Sequence, residues 1–97
     1  MHFAAGGIVL PKDEITRLVG HAAELRKDVN KVVVEGFADE PGTDDKAVAL
    51  ARRRAILARQ LLTEVGIDPE RLSIAVVDVA SEPSLAGSVR VRVKEAK

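Results

Sequence analysis

Residues 36–67 read GFADEPGTDDKAVALARRRAILARQLLTEVGI, and the parsing of this stretch decides the fold. Its left end closes a strand. Lys31 to Phe37 holds Val32, Val33 and Val34 in succession, a β-branched run typical of a strand buried on both faces. Gly36, inside the end of that strand, points to either a close backbone approach or a bulge. Asp39-Glu40-Pro41-Gly42 then reads as a turn in which Gly42 is free to take positive φ. Thr43 caps a long helix, with Asp44 and Asp45 in the first turn where carboxylates complement the helix dipole. The helix stops at Gly66, a C′ glycine, so that Ile67 folds back on the last turn and Pro69 blocks continuation.

Within this helix, Ala47, Leu50, Ala51, Arg54, Leu57, Ala58, Leu61 and Val65 recur at three-and-four spacing and line one face. Arg54 interrupts that apolar stripe. An unpaired charge in an apolar interface costs several kcal/mol, so its guanidinium must either snorkel to the rim or meet a carboxylate. The nearest upstream carboxylate is Asp39, just past the strand. Arg52, Arg53 and Arg59 read as a solvated helix face, because no aromatic is interleaved for base stacking. Asp44 and Asp45 read as cap and dipole residues rather than catalytic carboxylates.

Before this stretch, Met1 to Phe3 is a possible short strand and Ala4 to Gly7 a loop. A first helix begins at Pro11, whose missing N–H costs nothing in a first turn, and ends near Asp28. Ile15, Leu18, Val19, Ala22, Leu25 and Val29 give it an apolar face. After the long helix, Leu72 to Val79 and Ser88 to Val93 read as strands, the last alternating Val89, Val91 and Val93 against Arg90 and Arg92. The link Ala80 to Gly87 is short enough for an antiparallel hairpin. The order β-α-β-α-β-β implies an α+β sandwich: a mixed sheet with two helices packed on one face.

Composition limits what such a domain does. The chain has 97 residues, one domain's worth, and its aromatics are Phe3 and Phe37 alone, so aliphatic and alanine side chains must fill the core. Fifteen basic and fifteen acidic residues cancel, which argues against nucleic acid as a partner. The absence of cysteine excludes disulfides and thiolate metal sites. His2 and His21 lack partners at ligand spacing, so no metal and no cofactor are expected. No run approaches the roughly 20 apolar residues that span a bilayer, and the start lacks a signal-peptide pattern. The expectation is a cytosolic protein or the excised soluble domain of a longer exported one.

The string Gly36-Phe37-Ala38-Asp39, then Gly42, Leu50 and Arg53-Arg54-Ala55, then the apolar run to Gly66-Ile67, resembles the core motif of the OmpA-like (Pal-like) peptidoglycan-binding domain. That pattern usually has glycine, an aromatic or His, Thr, Asp, two residues and Gly, then Asn, Leu, Ser and Arg-Ala at fixed offsets, and the spacing here matches without a gap. His2-Phe3, the small-residue loop and Leu10 look like the family's opening strand and the approach to its first helix. The resemblance implies a noncatalytic module that anchors an envelope protein to the cell wall by gripping the diaminopimelate of a peptidoglycan stem peptide. It implies a location in the periplasm or cell envelope of a Gram-negative bacterium, with membrane attachment only through an upstream segment, and residues 1–97 as one domain of a longer protein. Carried across, the family's Asp falls on Asp39 and its Arg on Arg54. A free amino-acid end carries an ammonium and a carboxylate, so Asp39 would take the first and Arg54, a planar bidentate donor, the second. Ala38, Gly42 and Thr43 complete the ligand-binding set, with backbone N–H groups of the Gly42 turn and the helix N-terminus adding anion contacts.

Three positions depart from the family pattern. Ala38 replaces its Thr, Ala47 its Asn and Ala51 its Ser, and only Arg90-Val91 is left of an Arg-Arg-Val final strand. Three function classes follow. The first is the peptidoglycan-binding anchor. The second is a degenerate domain of the same fold serving as a protein-interaction or assembly module of an envelope or secretion machine, in which Asp39 and Arg54 simply tie the turn to the helix. The third, a small enzyme, lacks a Ser/His/Asp set, a Walker-type phosphate loop or a second carboxylate opposite Asp39.

Overall fold

The computed structural model of the chain describes residue 3 and residues 10–27, 30–40 and 44–93. Two helices, α1 (Lys12–Leu25) and α2 (Asp45–Glu64), join three strands, β1 (Val32–Gly36), β2 (Leu72–Val76) and β3 (Val89–Val93). The architecture is α+β with a mixed sheet, as the sequence implies. The proposed opening strand falls outside the described residues except for Phe3, whose N–H donates to the Gly87 carbonyl at 2.8 Å.

The valine run makes β1 the central strand. The sheet order is β2-β1-β3, with β2 parallel to β1 and β3 antiparallel to it. Val32 and Val34 are wholly buried and Val33 nearly so, which is what a strand flanked on both sides and covered on both faces demands. The expected β2–β3 hairpin does not form. The link carries two short 3₁₀ turns, Val79–Ser81 and Pro83–Leu85, and delivers β3 to the far side of β1. Short connections usually make neighbours, but the apolar face of β3 finds its burial beside β1, where Val89 joins the core.

Helix α1 is capped by Pro11, whose carbonyl receives the N–H groups of Glu14 and Ile15, and it buries Leu18, Ala22 and Leu25. Ile15 and Val19 of its expected apolar face are substantially exposed. Helix α2 starts one residue later than the sequence suggests. Asp44, not Thr43, is the N-cap, its carboxylate accepting the Ala47 N–H at 2.8 Å. Its far end is a Schellman motif: Gly66 takes φ 105°, its N–H bonds the Thr63 carbonyl, and the Ile67 N–H reaches back to Leu62 at 3.0 Å.

The buried stripe of α2 is rotated from the expected one. Ala51, Arg54, Ala55, Ala58 and Leu62 are buried, whereas Leu50, Leu57 and Leu61 lie half-buried at its flank. Alanines centre the contact because they let the helix axis sit close to the sheet. At Gly36 the approach is closest, since a Cβ there would run into the Ala51 carbonyl. Of the two readings of Gly36, close backbone approach is the correct one. The main core gathers Leu18, Ala22, Leu25, Val32, Val34, Ala58, Leu62 and Ile67, and a smaller cluster under the β1–α2 end holds Phe37, Ala38 and Val79.

Candidate functional site

The chain leaving β1 is pinned before it turns. The Phe37 N–H donates to the Ser88 carbonyl at 3.1 Å, and the Gly87 N–H donates to the Ala38 carbonyl at 2.8 Å, with Gly87 at φ 76°. Two residues of fixed backbone therefore carry Asp39 to a set position at the end of the sheet. From the other side, the close packing of α2 on Gly36 brings Arg54 over the same point.

Arg54 is fully buried, and among the described residues its guanidinium meets a carboxylate, a carbonyl and an aromatic ring. Nη2 meets Asp39 Oδ1 at 2.8 Å, Nη1 donates to the Phe37 carbonyl at 3.1 Å, and the ring of Phe3 lies 5.5 Å from the guanidinium carbon. A charge taken out of water is tolerated only when its donors are matched and a counter-charge is close. Among the described residues no buried side-chain nitrogen or oxygen lacks a partner. The Asp39 side chain, by contrast, is 31% exposed. The pair thus shows solvent an anion and hides its cation.

Asp39 opens on a depression of about 300 Å³ lined by Ala38, Asp39, Glu40, Asp44, Lys46, Ala47 and Leu50. Its size falls at the small end of ligand pockets. Of the residues singled out from the sequence, Asp39, Arg54 and Ala38 come together here, while Gly42 and Thr43 lie outside the described residues. Arg52 and Arg53 are exposed, as a solvated helix face requires. Arg59 departs from that reading: its Nε and Nη2 donate to the Leu72 and Pro69 carbonyls at 3.3 and 3.2 Å, tying α2 to the start of β2. No group of three or more metal-ligating side chains occurs among the described residues, and none of their helices is long and apolar enough to cross a membrane.

A second charged centre escaped the sequence reading. Glu35, in the middle of β1, is almost wholly buried and accepts Arg90 Nε at 2.8 Å, with Arg92 Nε at 3.4 Å. Arg90 also reaches Glu82 at 3.3 Å and stacks 5.8 Å over the Phe37 ring. The hydrogen bond to Glu35 raises the Arg90 pKa above its ordinary value, against the lowering effect of burial, so this guanidinium stays charged. The signal was present in the alternation of Arg90 and Arg92 opposite a lone acid in a valine strand, since cross-strand neighbours of opposite charge attract.

Fold and site together define a small α+β domain built on a buried arginine and a half-open carboxylate. The model of the OmpA family matches residues 2–92, and the chain belongs to that family. A peptidoglycan-associated lipoprotein of Pseudomonas putida is 39% identical over 54 residues, covering 56% of this chain and 32% of that protein; a namesake from Pseudomonas aeruginosa is 37% identical over the same length. The matched segment spans about a third of the length of these curated relatives. Among solved structures, the C-terminal domain of Helicobacter pylori MotB superposes with a TM-score of 0.82 at 18% identity, over 97% of this chain and 81% of that one. The peptidoglycan-associated lipoprotein of Burkholderia pseudomallei gives 0.75 at 21% identity, over 95% and 85%. At such identities the likeness is one of fold.

Proposed function

We infer that this chain is a noncatalytic cell-wall-binding module that recognises the diaminopimelate of peptidoglycan stem peptides, on the periplasmic side of a Gram-negative envelope. The observation that carries the reading is the Asp39–Arg54 pair, with its anion open to a depression and its cation buried behind it. The side-chain end of diaminopimelate is a zwitterion. Its ammonium meets Asp39 directly, and charge-assisted hydrogen bonds of this kind are among the stronger polar contacts. Its carboxylate reaches Arg54 by competing for the guanidinium edge that Asp39 now holds. Family membership and the names of the curated relatives support the same ligand class.

Titration with a diaminopimelate-containing muropeptide, followed by amide chemical shifts, tests the reading. Perturbations are expected at residues 38–43 and around Arg54, and a muropeptide with lysine in place of diaminopimelate, lacking the second carboxylate, should bind about tenfold more weakly, the equivalent of one charge-assisted hydrogen bond. Asp39→Asn should weaken binding by a similar factor without unfolding the domain. Absence of any shift at millimolar ligand would overturn the assignment. Sacculus pull-down separates it from the assembly-module reading, in which the wild-type domain is not retained either.

A further inference from the structure

Gly87, which ends the link before β3, is tied by its own peptide groups to both members of the ion pair. Its N–H donates to the Ala38 carbonyl at 2.8 Å, one residue ahead of Asp39. Its carbonyl accepts the Phe3 N–H at 2.8 Å, and the ring of Phe3 lies 5.5 Å from the guanidinium carbon of Arg54. Phe3 is buried in the main core, so its ring cannot swing clear of that contact without opening the packing. Ser88, the next residue, accepts the Phe37 N–H at 3.1 Å. A rotation of the backbone at Gly87 would therefore disturb the support of the carboxylate and that of the guanidinium at once.

These bonds are made with Gly87 at φ 76°, a left-handed conformation that glycine adopts freely and an L side chain resists. Volume is not the constraint, since a Cβ there would lie 3.5 Å from Asp39 Oδ1, an ordinary contact. What the position requires is the conformation. A ligand end that offers only an ammonium needs Asp39 alone, whereas a zwitterionic end needs Asp39 and Arg54 at one fixed offset. We propose that Gly87 is a positioning residue of the ligand site, its left-handed backbone setting that offset and with it the discrimination between a zwitterionic end and a purely cationic one. This rests on the diaminopimelate reading above and adds to it a residue that acts without touching the ligand.

Calorimetric titration of the 97-residue chain with the diaminopimelate and the lysine muropeptide tests it. In Gly87→Ala the ratio of the two affinities should fall from about tenfold to about twofold. A loss of stability alone lowers both apparent affinities by the same factor and leaves that ratio where it was. Gly87→Asn, whose side chain tolerates the left-handed region, should keep a ratio above about fivefold. A second measurement needs no variant: coupling is reciprocal, so at equal saturation the diaminopimelate peptide should slow hydrogen exchange at the Gly87 and Phe3 N–H groups more than the lysine peptide does. An unchanged ratio in Gly87→Ala, an equal collapse in Gly87→Asn or equal protection by the two peptides overturns the positioning role and leaves the diaminopimelate site standing. A wild type that binds neither peptide, or both alike, overturns the diaminopimelate reading and this proposal with it.

Discussion

Two buried ion pairs sit within five residues of each other along the chain, and they are inverted copies in charge. At Asp39–Arg54 the cation is enclosed and the anion half-open; at Glu35–Arg90 the anion is enclosed and the cation is 30% exposed. The first lies past the end of β1, where the sheet stops and a depression begins. The second lies in mid-strand, with Arg90 and Arg92 of the neighbouring strand across from it and Glu82 closing the set. A mid-sheet pair has its remaining hydrogen-bonding capacity taken up by adjacent strands, so it acts as a clamp. The pair at the strand end leaves its carboxylate 31% exposed beside a depression, which is the arrangement that the proposed function uses.

The strongest way to break this contrast is at Arg54. Arg54→Met should destabilise the domain by about 3–5 kcal/mol in urea unfolding, because the Phe37 carbonyl and Asp39 both lose a buried cationic donor. A loss below about 1 kcal/mol would show that Arg54 is no more embedded than a surface residue. Gly36→Ala tests the position of the pair rather than its charge. The new Cβ would push α2 off β1 at Ala51, at about 2 kcal/mol by unfolding, and should draw Arg54 away from Asp39 while leaving Glu35 paired. Amide shifts confined to the Arg90 strand would contradict that. The smallest effect is expected at Glu35→Gln, about 1 kcal/mol, since Arg90 and Arg92 reach water and a neutral acceptor stays in place. A cost equal to that of Arg54→Met would erase the distinction drawn between clamp and site.

How far this was legible follows from which signals were unambiguous. The central strand, the Gly66–Ile67 helix stop and the partnership of Arg54 with Asp39 could be read because each rests on a rule with few exceptions: a β-branched run, a C′ glycine, a charge that must be matched. The rotation of α2 could not. Ala47, Ala49, Ala51, Ala55 and Ala58 surround the helix with small residues, so large side chains such as Leu50 and Leu61 dominated the pattern while the closest packing belonged to the alanines. The order of the strands was hidden for a different reason. A link such as the one between Val76 and Val89 is long enough either to turn a hairpin or to cross to the next edge, and the choice was made by where Val89 finds a core. Glu35 was overlooked because a single acid in a valine run carries meaning only once its cross-strand neighbours are known.

The pairing of β3 with β1 has a kinetic side. Glu35 and Arg90 are 55 residues apart in sequence, whereas Asp39 and Arg54 are separated by 15. Loop closure for the longer span costs roughly 1 kcal/mol more chain entropy. A folding order follows in which the unit from Val32 to Val76 closes first, bringing Arg54 to Asp39, and the last strand then locks beside it. Arg54 would reach Asp39 before the clamp closes, but the backbone at Phe37 and Ala38 is pinned only when Gly87 and Ser88 dock, so a chain still emerging from the ribosome would hold the first pair loosely until Arg90 arrived.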